Sequence, residues 1–132
     1  MTGSAQFVLA EDAANGFFAT HSRISWIGSK VIQSTGLEEA RADAVHNAMW
    51  LRILGRETAV QNETEQFAAK IVAVATIAEK AAATGGSNAA MVAVMRESGA
   101  SLDPLLAQSF LRVAASPIFW MALDSANPAQ PG

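Results

Sequence analysis

The chain has 132 residues, 51% of them hydrophobic and 16% charged, with a formal net charge of -3. That length suits one domain with a real core, and abundant alanine among the apolar residues favours close-packed helices over a sheet. Scattered Lys and Arg in a weakly acidic chain leave no basic footprint for nucleic acid, and the lack of cysteine excludes disulfides and thiolate metal sites.

Apolar residues recur at helical spacing from Gln6 to Phe18, through Phe7, Leu9, Ala10, Ala13, Ala14 and Phe17, until Asn15-Gly16 weakens the end. From Thr20 a second helix carries Ile24, Ile27, Val31 and Ser34, with Gly36 placed to stop it in a left-handed cap. Glu38 and Glu39 suit the positive end of a third helix, whose stripe of Ala42, Val45, Met49 and Ile53 runs to Gly55. Trp50 and Leu54 are expected to broaden its buried face.

The stretch from Arg56 to Asn62 is polar and unpatterned. Beyond it Phe67, Ile71, Val74, Ile77 and Ala78 mark a long fourth helix that ends at Gly85-Gly86. Ser87 or Asn88 caps a fifth, with Met91, Val92, Val94 and Met95, closed by Gly99. Asp103-Pro104 reads as an N-cap followed by proline at the first helical position, opening a sixth helix through Leu105, Leu106, Phe110, Leu111 and Val113. Ser116-Pro117 repeats that signal for a short last helix with Phe119, Trp120 and Leu123.

Neither an internal repeat nor a period-two alternation is present, so the expected fold is all-α, an irregular bundle of about six to seven helices. It forms one domain over residues 1–126, followed by a flexible tail at 127–132, rich in proline, alanine and glycine. No apolar run approaches the roughly 20 residues of a membrane span, and the N-terminus lacks the order of a signal peptide. The expectation is a cytoplasmic protein without a membrane or nucleic-acid partner.

Chemistry-bearing residues are few. The two histidines, His21 and His46, have neither HxxxH nor HExxH spacing, and the carboxylate pairs Glu11-Asp12, Glu38-Glu39 and Glu63-Glu65 sit where helix beginnings explain them. Gly85-Gly86-Ser87 lacks the strand and the lysine of a phosphate-binding loop. No catalytic residue, metal ligand or cofactor is therefore assigned. Arg52 and Arg56, one helical turn apart, could grip an anion together, with His21 as a further polar group. Trp26, Trp50, Phe119 and Trp120 are the candidate interface residues, because aromatic side chains dominate many protein contacts.

The order His21-Ser22-Arg23-Ile24, Thr35-Gly36-Leu37-Glu38-Glu39 and Ala48-Met49-Trp50-Leu51-Arg52-Ile53-Leu54-Gly55-Arg56 resembles the opening of an HD-GYP domain, a branch of the HD phosphohydrolases. Ile71 to Glu79 lies where that family carries an Ala-Asp-x-x-Asp helix. Ser98-Gly99-Ala100-Ser101-Leu102-Asp103-Pro104 with Phe110-Leu111 is similar to its closing Gly-x-x-Phe-Asp-Pro element. The resemblance spans about residues 9 to 113. It implies an HD-domain-like helical fold and, in intact members, hydrolysis of cyclic di-GMP on metal ions held by histidines and aspartates.

Most of that ligand set has no counterpart here. Only His21 matches a ligand position; Arg52-Ile53 stands at the His-Asp pair and Thr76 at the later aspartate. The 14 residues between Arg56 and Ile71 leave no room for the family's further histidines and its Gly-Tyr-Pro signature. The resemblance thus implies a truncated, inactive bacterial relative: a regulatory or scaffolding module acting through protein contacts as a homodimer, with a diguanylate cyclase domain as the implied signalling partner. Two alternatives stand beside it. One is a receptor for a phosphate or nucleotide at His21, Arg52 and Arg56; the other is a residual metal-dependent phosphohydrolase built on His21, His46 and nearby carboxylates.

Overall fold

Apolar side chains three and four positions apart place Ile24, Ile27, Val31 and Ile32 on one side of a helix. The computed structural model describes residues 20–56 and 62–125, and there that helix, α1, covers residues 20–34 with all four side chains buried. It stops as expected: Thr35 N–H returns to Ile32 O at 3.1 Å, and Gly36 follows with φ 74°. The expected helix from Gln6 to Phe18 and the tail at 127–132 lie outside the described residues.

Helix α2, Glu39–Ile53, buries Val45 and Met49, with Ala42 and Ile53 packed at the edge of the core. Gly55, at φ 71°, turns the chain left-handed, so that Arg56 N–H closes on Leu51 O at 2.7 Å. Leu54 stands outside the last helical turn and is exposed, in contrast to the expectation that it would widen the buried face.

Helix α3, Glu63–Glu97, begins at Asn62, whose side chain accepts a hydrogen bond from Glu65 N–H at 2.9 Å. It spans both the expected fourth and fifth helices. The expected break between them is the kink at Gly86, whose φ 81° and ψ -168° are not helical. Alanines at positions 68, 75, 78 and 90 are buried along it and let its neighbours approach closely. Past the kink only Ala90 and Val94 are buried, while Val92 and Met95 are exposed, contrary to their expected place in the core. A helix touched on one side has room inside for one stripe, and these two fall off it.

A tight connection follows, in which Gly99 N–H bonds Leu102 O and Leu102 N–H bonds Glu97 O, and Leu102 is buried. Helix α4, Pro104–Ala114, opens as expected, with Asp103 Oδ1 accepting from Leu105 N–H at 2.9 Å and Leu106 N–H at 3.2 Å. Leu106, Ala107, Phe110 and Ala114 point inward, whereas Leu105 is 73% exposed. Helix α5, Pro117–Ser125, turns away from α4 by 86°, and Trp120 Nε1–H ties the corner by donating to Ala114 O at 2.8 Å.

The described residues are thus all-helical, with no strand and five helices rather than six to seven. α2 packs along α3, α3 against α4, and α4 against α5. α1 crosses both α2 and α3 at Gly28, where a side chain would meet Met49 Sδ and come within 3.3 Å of Ile71 Cγ2. Among the described residues no single helix is long and apolar enough to cross a membrane; α4 and α5 pass that test only as a bent pair.

Candidate functional site

Arg52, near the end of α2, is half-buried and lines a cavity of about 310 Å³ whose other walls come from α3 and from the α3–α4 connection. Ala69, Val72, Ala73, Ile77 and Leu102 make those walls mostly hydrocarbon, with Thr76 and Ser101 as the neutral polar groups. The arrangement brings one guanidinium and one threonine hydroxyl to a common space. The guanidinium cannot ligate a divalent cation, and the hydroxyl is at best a weak neutral ligand with no carboxylate or imidazole among the cavity's lining residues.

The helix ends at Ile53 and Arg56 follows the left-handed turn at Gly55, so the two arginines are not one turn apart on a common helix. Arg56 is exposed and is not among the residues lining the Arg52 cavity; His21, half-buried in the first turn of α1, is not among them either. The three candidate anion ligands are therefore not gathered around that one cavity.

His46 has a structural partner. Its Nε2 lies 2.8 Å from Ser29 Oγ, bridging α2 to α1. Ser29 has a single proton and gives it to Ser25 O at 2.9 Å, so His46 must be the donor, with its Nε2 protonated. Among the described residues no group of three or more His, Asp or Glu side chains is placed to hold a metal ion.

Of the four aromatic interface candidates, three form one cluster with Phe110. The Trp26 and Phe119 ring centroids are 5.0 Å apart, those of Phe119 and Trp120 4.9 Å, and Phe110 meets both Phe119 and Trp120 edge-on. Phe119 is buried at 6% exposure, so its surface serves the core; Trp26 and Trp120 are half-buried around it, and Lys30 Nζ covers the Trp26 ring at 5.3 Å. Trp50 is half-buried on α2. The cluster holds α5 against α1 and α4, with Trp26 and Trp120 keeping part of their surface outward.

The apolar surface that does face outward is aliphatic and was not anticipated. Ile118 and Met121, three residues apart on α5, are 74% and 69% exposed, on the side away from buried Phe119 and Leu123. The signal was in the sequence: Pro117 to Leu123 holds no charged residue, so any helix formed there is apolar on every side. Comparison with protein-family models, with curated proteins and with solved structures finds no match to this chain.

Proposed function

We propose that this chain is a non-catalytic regulatory or scaffolding module that acts by binding protein, as a homodimer joined across the outer face of α5. The observation that carries the reading is the coverage of that helix. α5 holds no charged residue before Asp124, and while Phe119 and Leu123 are buried, Ile118 and Met121 are 74% and 69% exposed. Soluble proteins tend to cover such a surface with a partner. A second copy suits it because Ile118 and Met121 are uncharged and can pack on their own counterparts across a two-fold axis.

In this reading the chain is a relative of the HD-GYP domains that has lost the means of turnover. Arg52 and Thr76, the positions matched to metal ligands in that family, line one cavity, and their chemistry is that of a cation and a neutral hydroxyl. A signalling protein such as a diguanylate cyclase domain is then the partner to try against the dimer.

Light scattering across a dilution series, with bound metal quantified on the same sample, tests the proposal. The expected result is a metal-free dimer that becomes a monomer in the double variant Ile118→Glu, Met121→Glu, with unchanged far-UV circular dichroism. A wild-type monomer at every concentration would refute the homodimer. Stoichiometric transition metal together with phosphodiesterase activity would return the chain to the hydrolases.

A further inference from the structure

A second cavity, of about 420 Å³, opens where the α1–α2 turn, the first turns of α3 and α4 come together. Its size falls within the range of small-molecule sites, roughly 300–1,000 Å³. Leu37, Phe67 and Leu106 give it apolar walls, and the 73% exposed Leu105 stands at its edge. Leu105, Ser109 and Arg112 recur at helical spacing, so one face of α4 presents hydrocarbon, hydroxyl and guanidinium in a row.

Two of these polar groups have no side-chain partner among the described residues. Ser109 is buried to 8% exposure, yet its hydroxyl makes no hydrogen bond among the described residues and is not sealed from solvent, which leaves it the cavity. The hydroxyl reaches solvent through the cavity and is free to donate to an acceptor placed there. Arg112 forms no ion pair among the described residues. Lys70 is held only loosely, 3.9 Å from Asp103 Oδ2, and Asp103 Oδ1 is already taken by the first amides of α4.

The remaining hydroxyls decide what the cavity can bind. Ser34 and Thr35 give their protons to Val31 O and Ile32 O, so they cannot donate to an anion. The donors left over are Arg112, Lys70 and Ser109, facing a single carboxylate, Asp103. Two cations against one anion favour a monoanion over a doubly charged phosphate, and the guanidinium fork matches a carboxylate. The apolar walls call for a hydrocarbon body.

We propose that this cavity binds an amphipathic monocarboxylate, its carboxylate on Arg112 and the Ser109 hydroxyl and its hydrocarbon against Phe67, Leu37 and Leu106. The site is separate from the outer face of α5 and does not depend on it.

Calorimetric titration of the full chain with sodium octanoate, below its micelle concentration, tests this, with octanol as the uncharged probe. Saturable one-to-one binding of octanoate is expected, with octanol weaker by about tenfold or more, the scale of a charge-assisted contact. Arg112→Gln, on an exposed side chain, should weaken octanoate by about tenfold and leave octanol unchanged; Ser109→Ala should weaken it by a smaller factor. Ile118→Glu should bind octanoate as the wild type does. No saturable binding, equal affinity for octanol, or full affinity in Arg112→Gln would each overturn the proposal.

Discussion

Gly28 shows how one absent side chain sets the distance between three helices. Substitution by alanine raises helix propensity but drives a methyl group into Met49 and against Ile71 Cγ2, both fully buried. Gly28→Ala should therefore lower stability by about 1–3 kcal/mol in chemical denaturation, the usual cost of overpacking a tight core. Arg23 offers a contrast between two ion pairs on one side chain. Its Nε is 3.5 Å from Glu79 Oε1, with both side chains near-buried, while its Nη1 is 3.7 Å from Asp124 Oδ1, which is 70% exposed. Removing the cation strands a buried carboxylate, so Arg23→Met should cost about 3 kcal/mol, whereas Asp124→Asn should cost at most about 1 kcal/mol. Equal losses in urea denaturation would show that the buried pair is no stronger than the surface one. Neither role could be read from the sequence, where Arg23 is one cation on a helix and Gly28 a mild helix weakener.

At the scale of elements the reading from sequence held wherever the determinant was local. The stop at Gly36, the Asp103 cap with Pro104 and the start at Pro117 are where the pattern put them, because capping uses groups within three or four residues. Gly85-Gly86 is expected to interrupt the helix, and at Gly86 the backbone does leave the helical conformation and kinks α3. The backbone of Gly86, with φ 81° and ψ -168°, lies in a region essentially closed to other residues. Gly86→Ala should accordingly lose about 1–3 kcal/mol, since no neighbouring atom would crowd the new methyl group and only backbone strain remains. An unchanged or higher stability, with a gain in helical circular dichroism, would mean that α3 straightens and the kink is dispensable. Inward and outward faces were harder to read. Leu54, Val92, Met95 and Leu105 all fit an apolar stripe by spacing and all lie in solvent.

For the whole molecule, the pairing proposed across α5 makes stability depend on concentration. The Tm of the wild-type chain should rise with protein concentration, and that of Ile118→Glu, Met121→Glu should not, because only an associating protein gains stability by mass action. A concentration-independent wild-type Tm would count against the dimer. The helical class, most helix ends and the lack of charge in α5 before Asp124 were legible in the sequence by itself, because periodicity and capping act over one or two turns. The cavity of about 420 Å³ was not, since Phe67, Ser109 and Arg112 meet only after α3 and α4 pack. Nor was the placing of Arg52 beside Thr76 in a cavity without Arg56 among its lining residues, which the packing of α2 on α3 decides. The gathering of the Trp26, Phe119 and Trp120 rings into one cluster, with Phe119 buried at its centre, was equally a matter of packing. Which stripe of a helix is buried, and which distant polar groups share a cavity, depends on the neighbours that helix finds, and only the tertiary structure decides that.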